Sequence, residues 1–336
     1  MAEYKGVLIC GEFRGQEVSS VTSELIHVGG KLKGELGEPL SLLFVGRDAS
    51  KAAEEAKSLG AEKVYVVDEL PFDEALPERF VVVVAGVCEQ VRPLIILFGQ
   101  TDMGRDIAPR LGAKLDASVC LDCVELAVDL DSKSLLQTKP VFGGKAMAVW
   151  ASPLERQSIV TVRPRASEPA RPDSSREGEI IPLKPEIDEA NFRGELIETV
   201  REEFKGIKLE EAKVVVAGGG GVGSAEGFKM LRELARVLRG AVGISRVPGD
   251  EGWMPSSLEI GQTGHIVGPD FYIAVGISGA PQHLAGCSAS KCIVAINKDP
   301  EAHIFKEADL GIVGDYREVL PPLIDKLKEL LALFVS

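Results

Sequence analysis

KVVVAGGGGVG, residues 213–223, is the stretch that decides how this chain folds. Its Val-rich run reads as a strand buried on both faces. The glycine run behind it is a turn in which backbone can approach a neighbour or a ligand. An amphipathic pattern over residues 224–238 follows and predicts a helix. Strand, turn and helix in that order open a βαβ unit with a parallel sheet. Short apolar runs at 241–245, 272–276, 293–297 and 311–313, and a closing helix over 319–333, extend it into a three-layer domain.

The same alternation fills the first half. Runs at 6–13, 40–46 and 63–68 read as parallel strands, with helices over 19–35 and 48–59 between them. FVVVVAGV, residues 80–87, has strand composition, but a crossover helix is needed between Asp68 and Leu94, so a helix is predicted there. Another helix is expected over 104–111, then strands at 119–128, 135–140, 146–151 and 159–162. Between 163 and 213 prolines sit among charges, as in an extended and mobile connection. The expected fold is therefore α/β, with two three-layer doubly wound domains and mainly parallel sheets. The boundaries fall at 1–163, a linker 164–212, and a Rossmann-like domain 213–336.

The 336 residues suit two domains. A formal charge of −13 without any basic stripe argues against nucleic acid as a partner. Of six cysteines only Cys120 and Cys123 form a CxxC, inside a strand-like run, which cannot build a four-ligand zinc site alone. The cysteines read as reduced structural thiols, which suits a reducing compartment. No apolar run reaches the roughly 18–20 residues of a membrane span, and the start has no apolar leader pattern, so a cytoplasmic protein, or a mature organellar one without its presequence, is expected.

The second domain holds the informative residues. Gly218, Gly220 and Gly223 satisfy GxGxxG between strand and helix, where a pyrophosphate can meet backbone N–H groups. The NAD-binding version wants an acid after the next strand, yet that strand ends at Ser245 and Arg246. EIGQTGHIV, residues 259–267, presents the amide of Gln262 and the hydroxyl of Thr263 between two glycines, neutral groups that suit a heteroaromatic ring or a plain polar turn. FYIAVGISGAPQHLAG, residues 271–286, is a strand, a turn and a short helix opened by Pro281, with Ser278, Gly279 and Ala280 before it and Gln282 and His283 on its first turn. It nearly matches the hydrolase elbow GxSxG, but Ala280 replaces the last glycine, and His303 lies too close to its preceding acids to complete a triad. Asn297 and Asp315 end further strands, where they can hold a nucleotide or simply form turns.

Taken together these segments resemble the alpha subunits of electron transfer flavoproteins. The resemblance is carried by VGISRVPGDEGW, IGQTGHIVGPDFYIAVGISGAPQHLAG and CIVAINKDPEAHIFKEADLGIVGDY. In the first half ILFGQTDMGRDIAPRLGAKLDASVCLDCVEL and QTKPVFGGKAMAVW carry it too. It implies an FAD-binding C-terminal domain and an N-terminal domain that contacts a beta subunit in a heterodimer. AMP or a second FAD is then expected in that partner. The FAD contacts it implies are Ser245, Arg246, Ile260, Gly261, Gln262, Thr263, Ser278, Gly279, Ala280, Pro281, Gln282, His283, Asn297 and Asp315. By the same pattern His283 and the helix at Pro281 face the ring edge that gains negative charge, Arg246 lies against the ring, and Gln262 and Thr263 bond around N5.

A full charge about 4 Å away at an effective dielectric near 20 is worth roughly 4 kcal/mol. A helix terminus supplies about 0.3–1 kcal/mol, so Arg246 leads the expected tuning. The family often carries Arg within the glycine turn, where this chain has Gly220. The implied function is an electron carrier between dehydrogenases, such as acyl-CoA dehydrogenases, and a downstream oxidoreductase. Two variants stay open: a heterodimer that bifurcates electrons from NADH through a second flavin, and, remotely, an NAD-dependent dehydrogenase. A nucleotide-sensing or assembly protein without a chromophore is a further class.

Overall fold

The computed structural model describes residues 4–68, 76–142, 144, 146–184, 197 and 207–335, with side chains as far as residue 331. It divides into two compact units, Met1–Val200 and Arg201–Ser336.

In the first unit β1 (Val7–Cys10) leads through the small ribbon β2 (Phe13–Arg14) and β3 (Glu17–Val18) into α1 (Ser20–Leu36). There follow β4 (Leu40–Val45), α2 (Ala49–Leu59), β5 (Lys63–Val67), α3 (Pro77–Val91), β6 (Ile95–Gly99) and α4 (Asp102–Leu115). The unit closes with β7 (Ser118–Cys123), β8 (Glu125–Asp129), β9 (Ser134–Val141), β10 (Ala146–Pro153), β11 (Ser158–Val162) and β12 (Glu179–Pro182). Seven strands form one parallel sheet in the order β12-β5-β4-β1-β6-β11-β7. Separate apolar cores cover its two faces.

The Val-rich run 80–87 is helical, inside α3, and its Phe80, Val83, Val84 and Val87 are buried against one sheet face. The run 119–128 is broken in two. Asp122 takes a left-handed backbone (φ 63°), and a bulge there ends β7. β8, β9 and β10 then form their own antiparallel sheet. Residues 164–184, expected within the linker, run back over the first unit. The N–H of Ala170 donates to Ser23 O at 3.0 Å, that of Asp173 to Ser58 O at 2.9 Å, and β12 pairs with β5. The rest of the expected linker, apart from residue 197 and residues 207–212, lies outside the described residues.

The second unit contains β13 (Val214–Gly218), α5 (Phe228–Val237), β14 (Ala241–Ile244), α6 (Arg246–Asp250), β15 (Phe271–Val275), α7 (Pro281–Cys287), β16 (Ile293–Asn297), β17 (Leu310–Val313) and α8 (Tyr316–Val335). The helix after the glycine turn starts at Phe228, later than the expected 224. Residues 220–222 first wind a single tight turn, and the Tyr316 hydroxyl clamps it by donating to Val222 O at 2.9 Å. The five strands are all parallel, in the order β14-β13-β15-β16-β17. Counted within the unit this is 2-1-3-4-5, the order of flavodoxin-like sheets. Chain direction across the sheet reverses between β13 and β15. That reversal opens a crevice outside their carboxyl ends, where ligands of such sheets bind. No helix among the described residues is long and apolar enough to cross a membrane.

Candidate functional site

The crevice is lined by two glycine turns that touch through backbone alone. Gly219 N–H donates to Val275 O and Gly221 N–H to Gly276 O, both at 2.9 Å. A Cβ at Gly219 would lie 2.3 Å from Gly276 O, and one at Gly221 2.8 Å from Gly276 Cα, so side chains are shut out of the seam. Gly220 faces outwards, and a Cβ there meets only the Val247 side chain, at 3.1 Å. The outer surface of the turn is therefore bare backbone, open to a group as large and flat-sided as a pyrophosphate.

Hydrogen bonds tie the remaining segments to these turns in one chain. Ser245 N–H donates to Gly218 O (2.9 Å), Ile260 N–H to Ile244 O (2.8 Å) and Gln262 N–H to Gln282 O (2.8 Å). On the far side Ile304 N–H donates to Ser278 O (3.1 Å), Asn297 Nδ2 to Ile277 O (2.9 Å) and Gly314 N–H to Asn297 O (3.0 Å). Residues from seven separated stretches thus form one continuous rim at the carboxyl edge of the sheet. Arg246, Gln262, Thr263, Ser278, Ala280, Pro281 and Gln282 are exposed on that rim.

Individual side chains have more partners than their sequence suggests. Arg246 opens α6 and is 74% exposed, with Nε donating to Asp250 Oδ2 at 3.2 Å, so part of its charge is already balanced. The Thr263 hydroxyl donates to Glu259 Oε1 at 3.0 Å, which leaves its oxygen free to accept. Asn297 uses both ends of its amide, because its Oδ1 also accepts from Asp299 N–H at 3.0 Å. Asp315 Oδ1 accepts from Arg317 N–H at 2.9 Å and caps the start of α8. Pro281 is the first residue of α7 as expected, but α7 has only seven residues, so its dipole is a minor contributor.

His283 is turned inward and only 6% exposed. Its Nδ1 lies 2.8 Å from Ile260 O and its Nε2 2.8 Å from the Tyr272 hydroxyl. Burial holds its pKa down, to about 4, so the ring is neutral at ordinary pH. Tyr272 was not singled out from the sequence. A lone phenol within the aliphatic strand FYIAV is the signal that could have found it, since a buried hydroxyl needs a partner. His265 is held likewise, with Nδ1 2.6 Å from Glu210 Oε1 and Nε2 2.8 Å from Ser257 O.

In the first unit the bulge at Asp122 brings Cys120 and Cys123 onto one face, with sulfurs 3.5 Å apart. All six cysteines are free thiols. Among the described residues no cluster could hold a metal ion.

Residues 7–187 match a family described as the electron transfer flavoprotein domain, and residues 208–288 one described as the electron transfer flavoprotein FAD-binding domain. The chain is 40% identical to the electron transfer flavoprotein subunit alpha of Thermoanaerobacterium thermosaccharolyticum, over 98% of this chain and 100% of that one. It is 39% identical to the subunit alpha of Megasphaera elsdenii, over 98% of each. A more distant relative, 33% identical over 97% of this chain and 77% of its own, is the lactate dehydrogenase (NAD(+),ferredoxin) subunit LctC of Acetobacterium woodii.

Proposed function

Since the chain belongs to the electron transfer flavoprotein family, as an alpha subunit that binds FAD, we propose that it carries electrons as one half of a heterodimer with a beta subunit. Dehydrogenases such as acyl-CoA dehydrogenases give the electrons, and a downstream oxidoreductase takes them. The observation that carries this reading is the continuous hydrogen-bonded rim at the switch point between β13 and β15. Its side-chain-free turns and exposed polar groups fit a dinucleotide with a heteroaromatic ring.

FAD, when bound, supplies the uptake and release of electrons. The work of the protein is to hold it and to set the local charge. The bare face of residues 219–223 would receive the pyrophosphate. Gln262 and Thr263 offer a neutral donor and acceptors to the ring edge, and Arg246 supplies a cation. Ser278, Gly279, Ala280, Pro281 and Gln282 form the opposite lip, while Asn297 and Asp315 brace the strand ends. Ser278, exposed on this lip, serves as a binding group. The proposed location is the cytoplasm, consistent with six unpaired thiols.

Co-expression with a beta subunit and a visible spectrum test the reading. A yellow complex with one FAD on this chain is expected, and a colourless complex would refute it. A second reading, bifurcation from NADH, is favoured by the likeness to the NAD(+),ferredoxin-linked subunit. Counting flavins per heterodimer separates the two: one FAD plus AMP for simple transfer, two FAD for bifurcation. The surface proposed for the beta subunit is on the first unit, along the exposed apolar side chains of β10.

A further inference from the structure

Cys120 and Cys123 stand three residues apart in β7, and an unbroken strand would keep them from meeting. Three residues of a parallel strand advance about 10 Å, and side chains at that spacing point to opposite faces. A disulfide joins Cα atoms no more than about 7 Å apart. The bulge removes both obstacles. Cys120 lies beside Val160 and Cys123 beside Val162, so three steps along β7 cover two steps of β11. Two steps come to about 6.6 Å, just inside the reach of a disulfide. The sulfurs already stand 3.5 Å apart.

Polar contacts fasten the bulge. Asp122 N–H donates to Thr161 Oγ1 at 2.8 Å, and the Thr161 hydroxyl donates to Gln100 Oε1. The Asp122 carboxylate accepts from Arg163 Nε at 2.9 Å and from Nη2 at 2.7 Å. Arg163 N–H in turn donates to Cys123 O at 2.8 Å. A left-handed Asp122 with these partners holds the backbone in one shape, so the two thiols are brought together in advance.

The two sulfurs are unequal. Cys120 is 6% exposed, whereas Cys123 is sealed at 0%. Cys123 Sγ donates to Cys120 Sγ, which favours a thiolate on Cys120 and lowers its pKa; burial opposes this, and the Lys139 charge assists it. The same bond, together with burial, pushes Cys123 up. Cys88 and Cys287 lie in apolar cores, where burial raises each thiol to about 12.

We propose that Cys120 and Cys123 are an oxidation site for small hydroperoxides, with Cys120 the attacking thiol and Cys123 the one that closes the disulfide. The Cys120 thiolate attacks one oxygen of hydrogen peroxide, the O–O bond breaks, and the departing hydroxide is protonated to water. Cys120 is left as a sulfenic acid. Cys123 Sγ then attacks Cys120 Sγ, the S–S bond forms, the S–O bond breaks, and a second water leaves with the Cys123 proton. Two thiols give up two electrons and two protons, and the peroxide becomes two waters. A peroxide little larger than water suits the narrow opening over Cys120 better than a bulky disulfide does.

The test uses the full chain, purified under dithiothreitol and freed of it. It is treated with hydrogen peroxide, alkylated and mapped by peptide mass spectrometry. The peptide that holds both cysteines is expected to escape alkylation and to be lighter by two hydrogen atoms. Dithiothreitol is expected to restore both thiols. Cys123→Ser is expected to stop Cys120 at the sulfenic acid, which dimedone traps, and Cys120→Ser to leave Cys123 an unoxidised thiol. Alkylation of Cys120 and Cys123 undiminished, while Cys10 or Cys292 is oxidised, would overturn the proposal. So would a disulfide that forms only in urea, since the folded bulge would then play no part. A dimedone adduct on Cys123 in Cys120→Ser would overturn the assigned roles. The wild-type map decides the matter even if a serine variant fails to fold.

Discussion

Arg246 is the one cation among the residues expected to meet the flavin, and Asp250 sits 3.2 Å from its Nε. An exposed pair of this kind interacts by about 0–1 kcal/mol, so Asp250 cancels only part of the field. Arg246→Ala is expected to lower the flavin potential. Asp250→Asn is expected to raise it by up to about 40 mV, the one-electron equivalent of roughly 1 kcal/mol. Spectroelectrochemical titration of both variants checks the opposite signs, and equal signs would remove Arg246 from the tuning. The glycines divide as sharply. Gly279 has φ 84°, and a Cβ there would lie 2.3 Å from Ile304 N, so Gly279→Ala is expected to cost about 1–3 kcal/mol and much of the FAD affinity. Gly220 meets only Val247, so Gly220→Arg is expected to fold normally and bind FAD more tightly by adding a cation beside the pyrophosphate. Thermal melts and FAD titrations of the pair measure both effects. The segments of the site were legible because each is a glycine turn or a polar group at a strand end. What each side chain does was not. Asp250 follows Arg246 by one helical turn, but only the fold of α6 makes them partners. The ring of His283 turns inward because Tyr272, eleven residues away, waits there.

At the scale of elements, α1 and the returning stretch 164–184 are held by an unusual carboxylate. Glu24 of α1 is nearly buried and accepts from the backbone N–H of Arg165 at 2.5 Å. Burial raises its pKa from 4.5 to about 7, against the lowering effects of that N–H and of the Arg165 charge. The folded protein thus holds a proton that the unfolded chain has already released. Stability from this group is full below about pH 4.5 and is lost as pH rises through about 7. Glu24→Gln, which keeps an acceptor for Arg165 N–H, is expected to match the wild type near the acid end and to exceed it by about 1–3 kcal/mol above pH 7. Urea unfolding across that range checks it, and parallel curves would show that Glu24 ionises freely. The stretch 164–184 also marks where reading the sequence stops. The helix over 80–87 could be inferred because a right-handed crossover needs one. No such rule reaches β12, whose pairing depends on the open edge of β5 more than on its own four residues. The break at Asp122 was hidden for a similar reason, since the bulge is set by pairing with β11.

At the scale of the whole molecule, β10, paired with β9, leaves apolar side chains on both of its faces. Neighbouring residues of a strand point in opposite directions, yet Val149 and Trp150 are each 61% exposed, with Met147 at 53%. Exposed apolar surface of this kind is the type of surface on which a partner chain docks. Aromatic side chains concentrate the binding energy of such contacts. If the beta subunit covers this ribbon, Trp150→Ser is expected to weaken the heterodimer about tenfold to a hundredfold while the FAD spectrum of the remaining complex stays unchanged. Trp253 is the only other tryptophan in the chain, so a Trp253→Phe background isolates Trp150 by fluorescence. Its emission is expected to shift to the blue when the beta subunit is added, as the indole leaves water. An unshifted emission with an unchanged dissociation constant would place the partner elsewhere on the first unit.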